Sequence, residues 1–387
     1  MATASSATLA DELHRARRLP AQWASALVAV PRERFIPDRM WVDEGGYDDL
    51  ECVSLDRAVE PERWRAAVYS DRVIVTQFDD GATVWPQVGH RPTCSSSMPS
   101  AMLGMLGVLD VREEHRVLEI GAGTGYNAAL LAQRAAQVTT VEVDPTLAEQ
   151  ARAALDGLST VRVVTADGAA GRQPGAPFDR VLATASVRLG QLPYEWVAQT
   201  RPGGVIVAPV RADLTSGPLV RFTVGEDGTA TGRVMPIRVG FMELRAHRTP
   251  SRWPRLRWDD PAADLTHSGD LSPRTALWVE ALRWAIALAV PQCKYDVWKR
   301  TTDRTQEVTW LVDICSGSWA SVTPDAAEGR YDVRQYGPRR LWNEAEAAHR
   351  WWRRSGEPTL EDWEFLITPD RQTVRPARSG KDPPDRG

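Results

Sequence analysis

The chain has 387 residues, of which 43% are hydrophobic and 25% charged, so its composition is that of a folded globular protein rather than a disordered one. It carries 47 Lys and Arg against 51 Asp and Glu, and the resulting net charge of −4 is opposite in sign to that expected of a nucleic-acid-binding protein. The sequence has no apolar run near the roughly 20 residues of a membrane span, no CxxC pair and no HExxH motif, so a membrane protein and a metal site have no support.

The N-terminal third predicts helices followed by mixed elements. Residues 1–9 lack the charged and apolar segments of a secretory signal, so we expect a cytoplasmic protein. Residues 8–30 predict two helices interrupted at Leu19-Pro20. Further along we expect a connector, a strand, a hydroxyl-rich loop and a helix, at residues 30–37, 67–76, 93–99 and 101–109.

Strand and helix patterns alternate regularly in the middle of the chain. The predicted strands are residues 117–120, 138–143, 161–164, 178–183 and 205–209. The predicted helices are residues 126–136, 145–155 and 192–200. Such alternation is typical of a parallel sheet with helices on both faces, so we predict an α/β fold. Residues 219–224 and 232–239 predict an antiparallel hairpin at the edge of this sheet.

Composition changes near residue 248. Residues 245–264 are rich in Arg, Trp, Pro and Asp, and 11 of the 16 Trp follow residue 250. Helices at 272–289 and 341–355, with a strand at 308–314, predict an α+β extension. We therefore expect a first domain, a Trp-rich C-terminal domain and a disordered tail, at residues 1–248, 249–370 and 371–387.

The tryptophans of the extension have two interpretations. Most are expected to fill a compact core, namely Trp278, Trp284, Trp310, Trp319 and Trp342. Trp351 and Trp352 are adjacent and cannot share one helix face, so one of them could be exposed as a binding anchor.

A glycine-rich segment follows the first strand of the alternating region. Gly121, Gly123 and Gly125 stand between that strand and the next helix, where glycine lets the backbone approach a ligand closely. A dinucleotide-binding fingerprint requires its third glycine one position later, where this chain has Tyr126. The spacing therefore favours S-adenosylmethionine, which has no pyrophosphate, over NAD.

Three acidic residues lie where a cofactor of that kind would need them. Glu142 ends the second strand and can accept hydrogen bonds from both ribose hydroxyls. Asp167, followed by Gly168, comes after the third strand and can reach the adenine amine. Glu119 directly precedes the loop and can face the cationic methionine amine. The alternative is an ordinary Gly-rich turn between a strand and a helix.

Several motifs between residues 30 and 244 resemble those of protein-L-isoaspartate O-methyltransferases. They include residues 30–37 (VPRERFIP), 67–72 (AVYSDR), 88–90 (VGH), 93–95 (TCS), 178–184 (FDRVLAT) and 199–204 (QTRPGG). The resemblance implies a class I S-adenosylmethionine-dependent methyltransferase, with a Rossmann-like doubly wound sheet and here an α+β extension. It also implies that Ser95 is the catalytic hydroxyl and that Thr124 and Asn127 flank the cofactor loop.

The acceptor segment departs from the family pattern. Arg91-Pro92 replaces the usual Gly-Gln, and Ser95 is followed by Ser96-Ser97-Met98-Pro99. With the Trp-rich extension, this is similar to a branch that modifies ribosomally synthesised peptides. The implied reaction methylates an Asp side chain of a macrocyclised precursor peptide, and the ester then closes to an aspartimide. The partner system is either a graspetide, our first choice, or a lanthipeptide.

The resulting site prediction has three groups. The cofactor group is Glu119, Gly121, Gly123, Thr124, Gly125, Asn127, Glu142, Val143, Asp167 and Gly168. The catalytic group is Ser95, Ser97 and Thr93, and the substrate group is Ser96, His90 and Thr184. A carboxylate acceptor is already ionised at neutral pH, so no general base is required. The hydroxyls would orient the acceptor, although a serine run is also common turn material.

Three alternatives remain at this point. A general isoaspartyl repair enzyme would share the cofactor half but would not need a long extension. A non-catalytic peptide-binding scaffold would not need an intact glycine loop with acidic partners. A nucleic-acid methyltransferase would be expected to carry a basic surface and an Asn/Asp-Pro-Pro-aromatic motif, which the chain lacks.

Overall fold

A ten-stranded sheet organises the protein. The structure is a computed structural model and describes residues 4–45, 51–249, 256, 260–268, 270–299, 307–324 and 330–377. Its strands are β1 (Arg39–Asp43), β2 (Cys52–Asp56), β3 (Ile74–Phe78), β4 (Pro92–Ser96), β5 (Arg116–Ile120), β6 (Gln137–Glu142), β7 (Val161–Thr165), β8 (Phe178–Ala183), β9 (Val187–Arg188), β10 (Thr200–Arg211), β11 (Leu219–Val224), β12 (Ala230–Met235), β13 (Asp264–Ser268), β14 (Cys293–Lys299), β15 (Glu307–Asp313), β16 (Trp319–Pro324), β17 (Tyr331–Tyr336), β18 (Trp363–Ile367) and β19 (Gln372–Pro376). Its α-helices are α1 (Ser6–Arg15), α2 (Ala24–Ala29), α3 (Pro61–Val68), α4 (Pro99–Leu109), α5 (Tyr126–Leu131), α6 (Pro145–Ala154), α7 (Tyr194–Ala198), α8 (Pro273–Trp278), α9 (Glu280–Ala289) and α10 (Leu341–Arg354).

The predicted parallel sheet forms the centre of the large sheet. Strands β7, β6, β5, β8 and β10 lie side by side and run parallel, in that spatial order. The apolar residues of β5, β6, β8 and β10 are buried, whereas the edge strand β7 is only partly buried. The predicted hairpin β11–β12 continues the sheet in antiparallel fashion beyond β10. The α/β prediction is confirmed.

The end of the chain returns to this same sheet. Strand β18 pairs with β12, and β19 pairs with β18, which completes the edge. The disordered tail predicted from residue 371 is therefore wrong for Gln372–Pro376, and residues 378–387 lie outside the described residues. One hydrophobic cluster contains Ile206 of the parallel sheet together with Trp284 and Trp363 of the extension. The proposed division at residue 248 thus does not separate two hydrophobic cores.

A four-stranded sheet, in the order β2-β1-β3-β4, holds the segment with the serines. Residues 93–99 were predicted to be a loop, but residues 92–96 form the edge strand β4. Cross-strand pairing decides this, since Ser95 pairs with Val75 and Ser96 pairs with Ile74. The strand predicted at residues 67–76 is also displaced: its first residues end α3, and β3 begins only at Ile74.

The extension contains a five-stranded antiparallel sheet in the order β13-β17-β16-β15-β14. The single helix predicted at 272–289 is broken into α8 and α9 at Val279, whose backbone is extended. Helix α10 packs against α9 on one side and against β15, β16 and β17 on the other. Both Trp351 and Trp352 are consequently buried, so the exposed anchor considered for that pair is absent.

The other tryptophans divide clearly. Trp284, Trp310, Trp319 and Trp342 are buried, as predicted. Trp278 is 59% exposed, so the prediction that it fills the core is wrong. Trp253 and Trp258 lie outside the described residues. None of the helices within the described residues has the length and apolar character that crossing a membrane requires.

The hydrophobic cluster shared by the parallel sheet and the extension predicts that both unfold together. Trp363 on β18 is completely buried and its ring centroid lies 5.9 Å from that of Trp351. Trp363→Ala should lower the free energy of unfolding by about 3–5 kcal/mol, because it removes a large side chain from a packed core. Urea unfolding followed by circular dichroism should remain a single transition. The control is Leu366→Ala on the same strand, which should change stability by less than about 1 kcal/mol because Leu366 is partly exposed. Two separate transitions, with only one affected by Trp363→Ala, would contradict the shared core.

Candidate active site

The carboxyl ends of β5, β6 and β8 open into a cavity of about 890 Å³. In parallel α/β sheets this edge is where ligands bind, because the loops after the strands converge there. One part of the cavity wall consists of the glycine loop with Glu142 and Asp167. The other part consists of β4, the segment after β12 and residues of the extension.

The glycine loop adopts a conformation that requires glycine. Gly121 and Gly123 have φ values of +94° and +51°, a region that side chains disfavour. A Cβ atom on Gly121 would lie 2.8 Å from the Thr184 hydroxyl oxygen. A Cβ atom on Gly123 would lie 3.5 Å from Cys94 Sγ and 3.7 Å from the Ser95 carbonyl oxygen. The loop therefore passes directly between β8 and the serine-bearing strand β4.

Two acidic side chains fix this part of the wall. Glu142 accepts hydrogen bonds from the backbone N–H of Gly123 at 2.9 Å and of Asp144 at 3.1 Å. A carboxylate has about four acceptor positions, so two remain for ribose hydroxyls. Asp167 accepts a bond from Ala169 N at 2.9 Å and also lines the cavity.

The remaining cofactor residues fall into two sets. Thr124, Val143 and Gly168 line the cavity beside the two acids. A Cβ on Gly168 would lie 2.5 Å from Ile120, so this glycine permits close backbone packing. Gly125 is not part of the cavity wall and instead begins α5 with a φ of +85°. This end of the cavity has the donors, acceptors and backbone access that an adenosyl group needs.

Glu119 does not reach the cavity, contrary to the predicted contact with the methionine amine. Its side chain is fully buried and accepts hydrogen bonds from Asn127 Nδ2 and Thr140 Oγ1, each at 2.5 Å. Burial raises its pKa to about 7, although the two hydrogen bonds oppose that shift. Asn127 does line the cavity, and its Oδ1 has no hydrogen-bond partner among the described residues. Glu119 thus orients Asn127 rather than contacting a ligand.

The serine side chains of β4 and the residue after it lie on two different faces of the strand. Ser95 and Ser97 are half-buried and line the cavity, and their hydroxyls make no hydrogen bond with any described residue. Ser96 is buried, and its hydroxyl accepts hydrogen bonds from the Arg32 guanidinium at 3.2 and 3.3 Å. A substrate contact of the Ser96 side chain is therefore not favoured. Cys94 is also buried, which raises the pKa of its thiol to about 12 and leaves it inert as a nucleophile.

Three further predictions need correction or refinement. The Thr93 hydroxyl donates to Gln77 Oε1 at 2.7 Å and accepts from Asp80 N, so it has no donor left for an acceptor carboxylate. His90 is exposed and absent from the cavity wall, so its position does not support the predicted substrate contact. Thr184 lines the cavity, but its hydroxyl donates to the carbonyls of the glycine loop, at 2.7 Å to Gly121.

Arg32 holds the serine strand in place, a role that the sequence did not reveal. Its guanidinium is completely buried and donates to the backbone carbonyl oxygens of Val68, Ser70, Arg72, Ser96 and Ser97. Burial lowers its pKa to about 10, so the group stays charged at neutral pH. The only sequence signal was its place in the motif at residues 30–37.

The extension forms part of the cavity wall, which sequence patterns also did not show. Leu277 and Trp278 at the end of α8, Glu280 and Arg283 of α9 and Tyr295 of β14 all line it. The break between α8 and α9 brings this corner into the wall. Trp278 is largely exposed, so the extension contributes an aromatic surface to the wall.

Comparisons with known proteins agree with this arrangement. The family model for protein-L-isoaspartate (D-aspartate) O-methyltransferases matches residues 50–244, about half of the chain. Protein-L-isoaspartate O-methyltransferase 1 of Rhodopseudomonas palustris (strain HaA2) is 36% identical over 201 residues, which are 50% of this chain and 75% of that protein. The chain belongs to the protein-L-isoaspartate O-methyltransferase family.

One further relative and one solved structure are also similar to this chain. Protein-L-isoaspartate O-methyltransferase 1 of an Anaeromyxobacter species (strain Fw109-5) is 42% identical over 146 residues, which are 37% of this chain and 68% of that protein. A solved protein-L-isoaspartate O-methyltransferase structure aligns with 96% of this chain and 99% of its own, with a TM-score of 0.53 and 20% identity. That likeness shows the fold, a class I methyltransferase with a C-terminal extension.

At the level of its family, the protein is thus an S-adenosylmethionine-dependent protein-L-isoaspartate O-methyltransferase. The bound cofactor supplies an electrophilic methyl group on a sulfonium. The residues of the chain have to orient an ionised carboxylate in line with that group and keep water out. Ser95 and Ser97 are suited to this because their hydroxyls are free to donate. The described residues hold no cluster of His, Cys, Asp or Glu that could bind a metal ion.

The raised pKa of Glu119 predicts a pH dependence of stability. Since the folded pKa of about 7 exceeds the ordinary 4.5, the folded state holds a proton that the unfolded state has lost between these values. The stabilising contribution of Glu119 is full below pH 4.5 and is lost as the pH rises through 7. Glu119→Gln should therefore gain stability relative to wild type by on the order of 2–3 kcal/mol from pH 5 to pH 8.

Chemical unfolding of the cofactor-free protein at several pH values would measure this difference. Comparing the two proteins isolates Glu119, because the other carboxylates titrate equally in both. The matched control is Glu149→Gln, an exposed carboxylate on α6, which should follow the wild-type curve. A constant difference between Glu119→Gln and wild type would show that Glu119 is already ionised at pH 5.

The two free serine hydroxyls give a second prediction. Ser95→Ala should lower kcat roughly tenfold or more while leaving cofactor affinity unchanged, because a hydrogen bond to a charged acceptor is lost in the reactive geometry. Initial rates and calorimetry with S-adenosylmethionine would separate these effects. Ser100→Ala, just beyond the cavity wall on α4, is the control and should behave as wild type. Full activity of Ser95→Ala together with an inactive Ser97→Ala would assign the role to Ser97.

Proposed function

We propose that this enzyme methylates the side-chain carboxylate of an aspartate in a ribosomally synthesised, macrocyclised peptide, and that the ester then closes to an aspartimide. A graspetide is our first choice of substrate and a lanthipeptide the second. In this proposal residues 249–370 serve peptide recognition. The observation that carries it is that Trp278 and Arg283 of the extension line the same cavity as the cofactor loop and the serines of β4.

The composition of that wall argues for a defined substrate. A repair enzyme has to accept an isoaspartyl residue in any damaged protein, so contacts beyond the acceptor would exclude many of its substrates. Here an exposed tryptophan and an arginine of the extension line the cavity that also contains the serines of β4. The altered residues at Arg91-Pro92 and Ser96-Ser97 point in the same direction. An extension alone does not discriminate, because a solved isoaspartate methyltransferase aligns along nearly the whole chain.

The chemistry of the acceptor is compatible with the site. An aspartate side chain is ionised at neutral pH, so one of its oxygens can form the new C–O bond to the methyl group without a general base. In the ester, the backbone nitrogen of the following residue attacks the side-chain carbonyl carbon. The new N–C bond replaces the C–OCH₃ bond, and methanol leaves with the amide proton. This second step needs no further residue of the enzyme.

A macrocyclic substrate suits a site of this kind. Contacts remote from the reacting atom can orient a weakly nucleophilic carboxylate. A ring is already restricted in conformation and therefore loses less entropy on binding than a linear peptide. We expect a clear preference for the cyclised precursor over its linear form.

General isoaspartyl repair is the second candidate. It is favoured by the 36% identity over 201 residues to a relative that carries that name. In that case the acceptor would be the carboxylate of an isoaspartyl residue, and sequence context around it would matter little.

A direct comparison of substrates tests the proposal. Purified enzyme and S-adenosylmethionine are mixed with the precursor peptide encoded beside its gene, in cyclised and linear forms, and with an isoaspartyl peptide. Mass spectrometry should show gain of a methyl group and then loss of methanol for the cyclised form. Efficient methylation of the isoaspartyl peptide, with none of the cyclised precursor, would favour the repair enzyme.

Substitutions test the role of the extension better than truncation does. Truncation would also remove β18 and β19, which complete the catalytic sheet. Trp278→Ala should raise the KM for the cyclised precursor. Trp298→Ala is the matched control, since Trp298 is also exposed but lies outside the cavity wall. An equal effect of both substitutions would remove Trp278 from recognition.

A further inference from the structure

Two arginines in the cavity wall, Arg72 and Arg283, form no ion pair within the described part of the chain. Arg72 follows α3 and is exposed, whereas Arg283 belongs to α9 and is half-buried. The Nε–H of Arg283 is buried and has no hydrogen-bond partner among the described residues. A buried donor without a partner is unfavourable. Nothing in the described part of the chain holds this guanidinium, and its residue lines the cavity where an acceptor could bind.

The other arginines of the wall already have acidic partners. Arg211 pairs with Glu243 at 2.8 Å and Arg238 with Glu280. Arg245 is bonded to Asp144 at 3.2 Å, and Arg248 to Asp80 at 2.7 Å. These four positive charges are compensated within the protein, so among the described arginines of the wall only Arg72 and Arg283 are available to a ligand.

The acidic residues of the wall also have ion-pair or hydrogen-bond partners. Asp71 pairs with Arg18 at 3.1 Å, and Asp213 pairs with Arg188. Asp43 accepts hydrogen bonds from the backbone N–H of Gly45. Glu142 and Asp167 belong to the cofactor end described above. A ligand carboxylate near Arg283 would therefore meet an uncompensated cation rather than a free carboxylate of the wall.

The extension residues that line the cavity with Arg283 are apolar or aromatic except Glu280, one helical turn away, which is paired with Arg238. Leu277, the exposed Trp278 and Tyr295 line the same corner of the cavity. A guanidinium binds a carboxylate through two parallel N–H···O bonds, and such a pair is stronger where water is partly excluded. The corner thus combines a bidentate anion site with a flat surface for an apolar side chain or a ring backbone.

We infer that Arg283 forms a subsite for a second carboxylate of the peptide, separate from the carboxylate that is methylated, with Trp278 packing against the adjoining residue. This inference rests on the proposed function, because it names the substrate as an acidic peptide. The same chemistry could come from the carboxylate of the methionine moiety of the cofactor. The position of Arg283 on the extension, on the wall that also contains Trp278, favours the peptide.

A double-substitution cycle tests the subsite. Each non-acceptor Asp or Glu of the cyclised precursor is changed in turn to Asn or Gln, and KM is measured with wild-type and Arg283→Gln enzyme. A parallel series uses isoaspartyl peptides with Glu or Gln at each of the three positions on either side of the acceptor. Cofactor affinity is measured by calorimetry for both enzymes.

With wild-type enzyme, one peptide position should show a KM roughly tenfold higher for the amide than for the carboxylate. Arg283→Gln should abolish that difference and leave cofactor affinity unchanged. Arg283→Lys, which keeps the charge but not the paired N–H donors, should give an intermediate difference and guards against a folding defect in the first variant. Arg274→Gln, an exposed arginine on α8 outside the cavity wall, should retain the full difference.

Failure of the proposed function and failure of the Arg283 subsite would give different results. If only isoaspartyl peptides are methylated, the proposed function fails, and the Arg283 cycle is then decided on those peptides. If Arg283→Gln weakens cofactor binding and leaves the carboxylate preference intact, Arg283 binds the cofactor and the subsite is overturned. If no peptide position distinguishes carboxylate from amide with wild-type enzyme, the subsite is overturned for either substrate.

Discussion

The buried guanidinium of Arg32 is the interaction on which the acceptor side of this enzyme depends. A cation in a protein interior needs replacement of its water shell, and here five backbone carbonyls and one hydroxyl provide it. These acceptors come from two separate segments, residues 68–72 and the end of β4. Because all of them must converge on one rigid planar group, their relative positions are fixed to within hydrogen-bonding distance. The strand with Ser95 and Ser97 is thus held from behind, which leaves its cavity face free of internal hydrogen bonds.

Gly123 joins the donor and acceptor halves of the site. Its N–H is bonded to Glu142, the residue suited to the ribose, while its α-carbon faces Cys94 and Ser95 of β4. The positive φ of this residue favours glycine, and a Cβ atom here would be in van der Waals contact with β4. Main-chain contacts at Gly123 therefore link the glycine loop to the serine strand. This is the kind of preorganisation that an in-line transfer needs.

The sequence predicted the cofactor half much better than the acceptor half. Gly121, Gly123, Glu142 and Asp167 follow directly after consecutive parallel strands, so local patterns are enough to bring them together. The sequence placed Thr93 in the catalytic group and Ser96 in the substrate group, although their hydroxyls bond within the protein, because side-chain orientation depends on pairing with β3 and on Arg32, 64 residues before Ser96. Trp278 and Trp284 look alike in sequence, and only the break at Val279 separates an exposed side chain from a buried one. Strands β18 and β19 were missed because their partner lies in another part of the chain.

The return of β18 to the catalytic sheet has a consequence for how the protein is made. Ala230 of β12 pairs with Ile367 of β18. Strand β12 is therefore synthesised well before the strand with which it pairs. Until then β12 is an unpaired sheet edge with Phe222 nearby, and such edges can pair wrongly with other chains. Pairing between such distant segments is also intrinsically slow. The catalytic sheet therefore reaches its full width only after the last described strands, β18 and β19, have been synthesised.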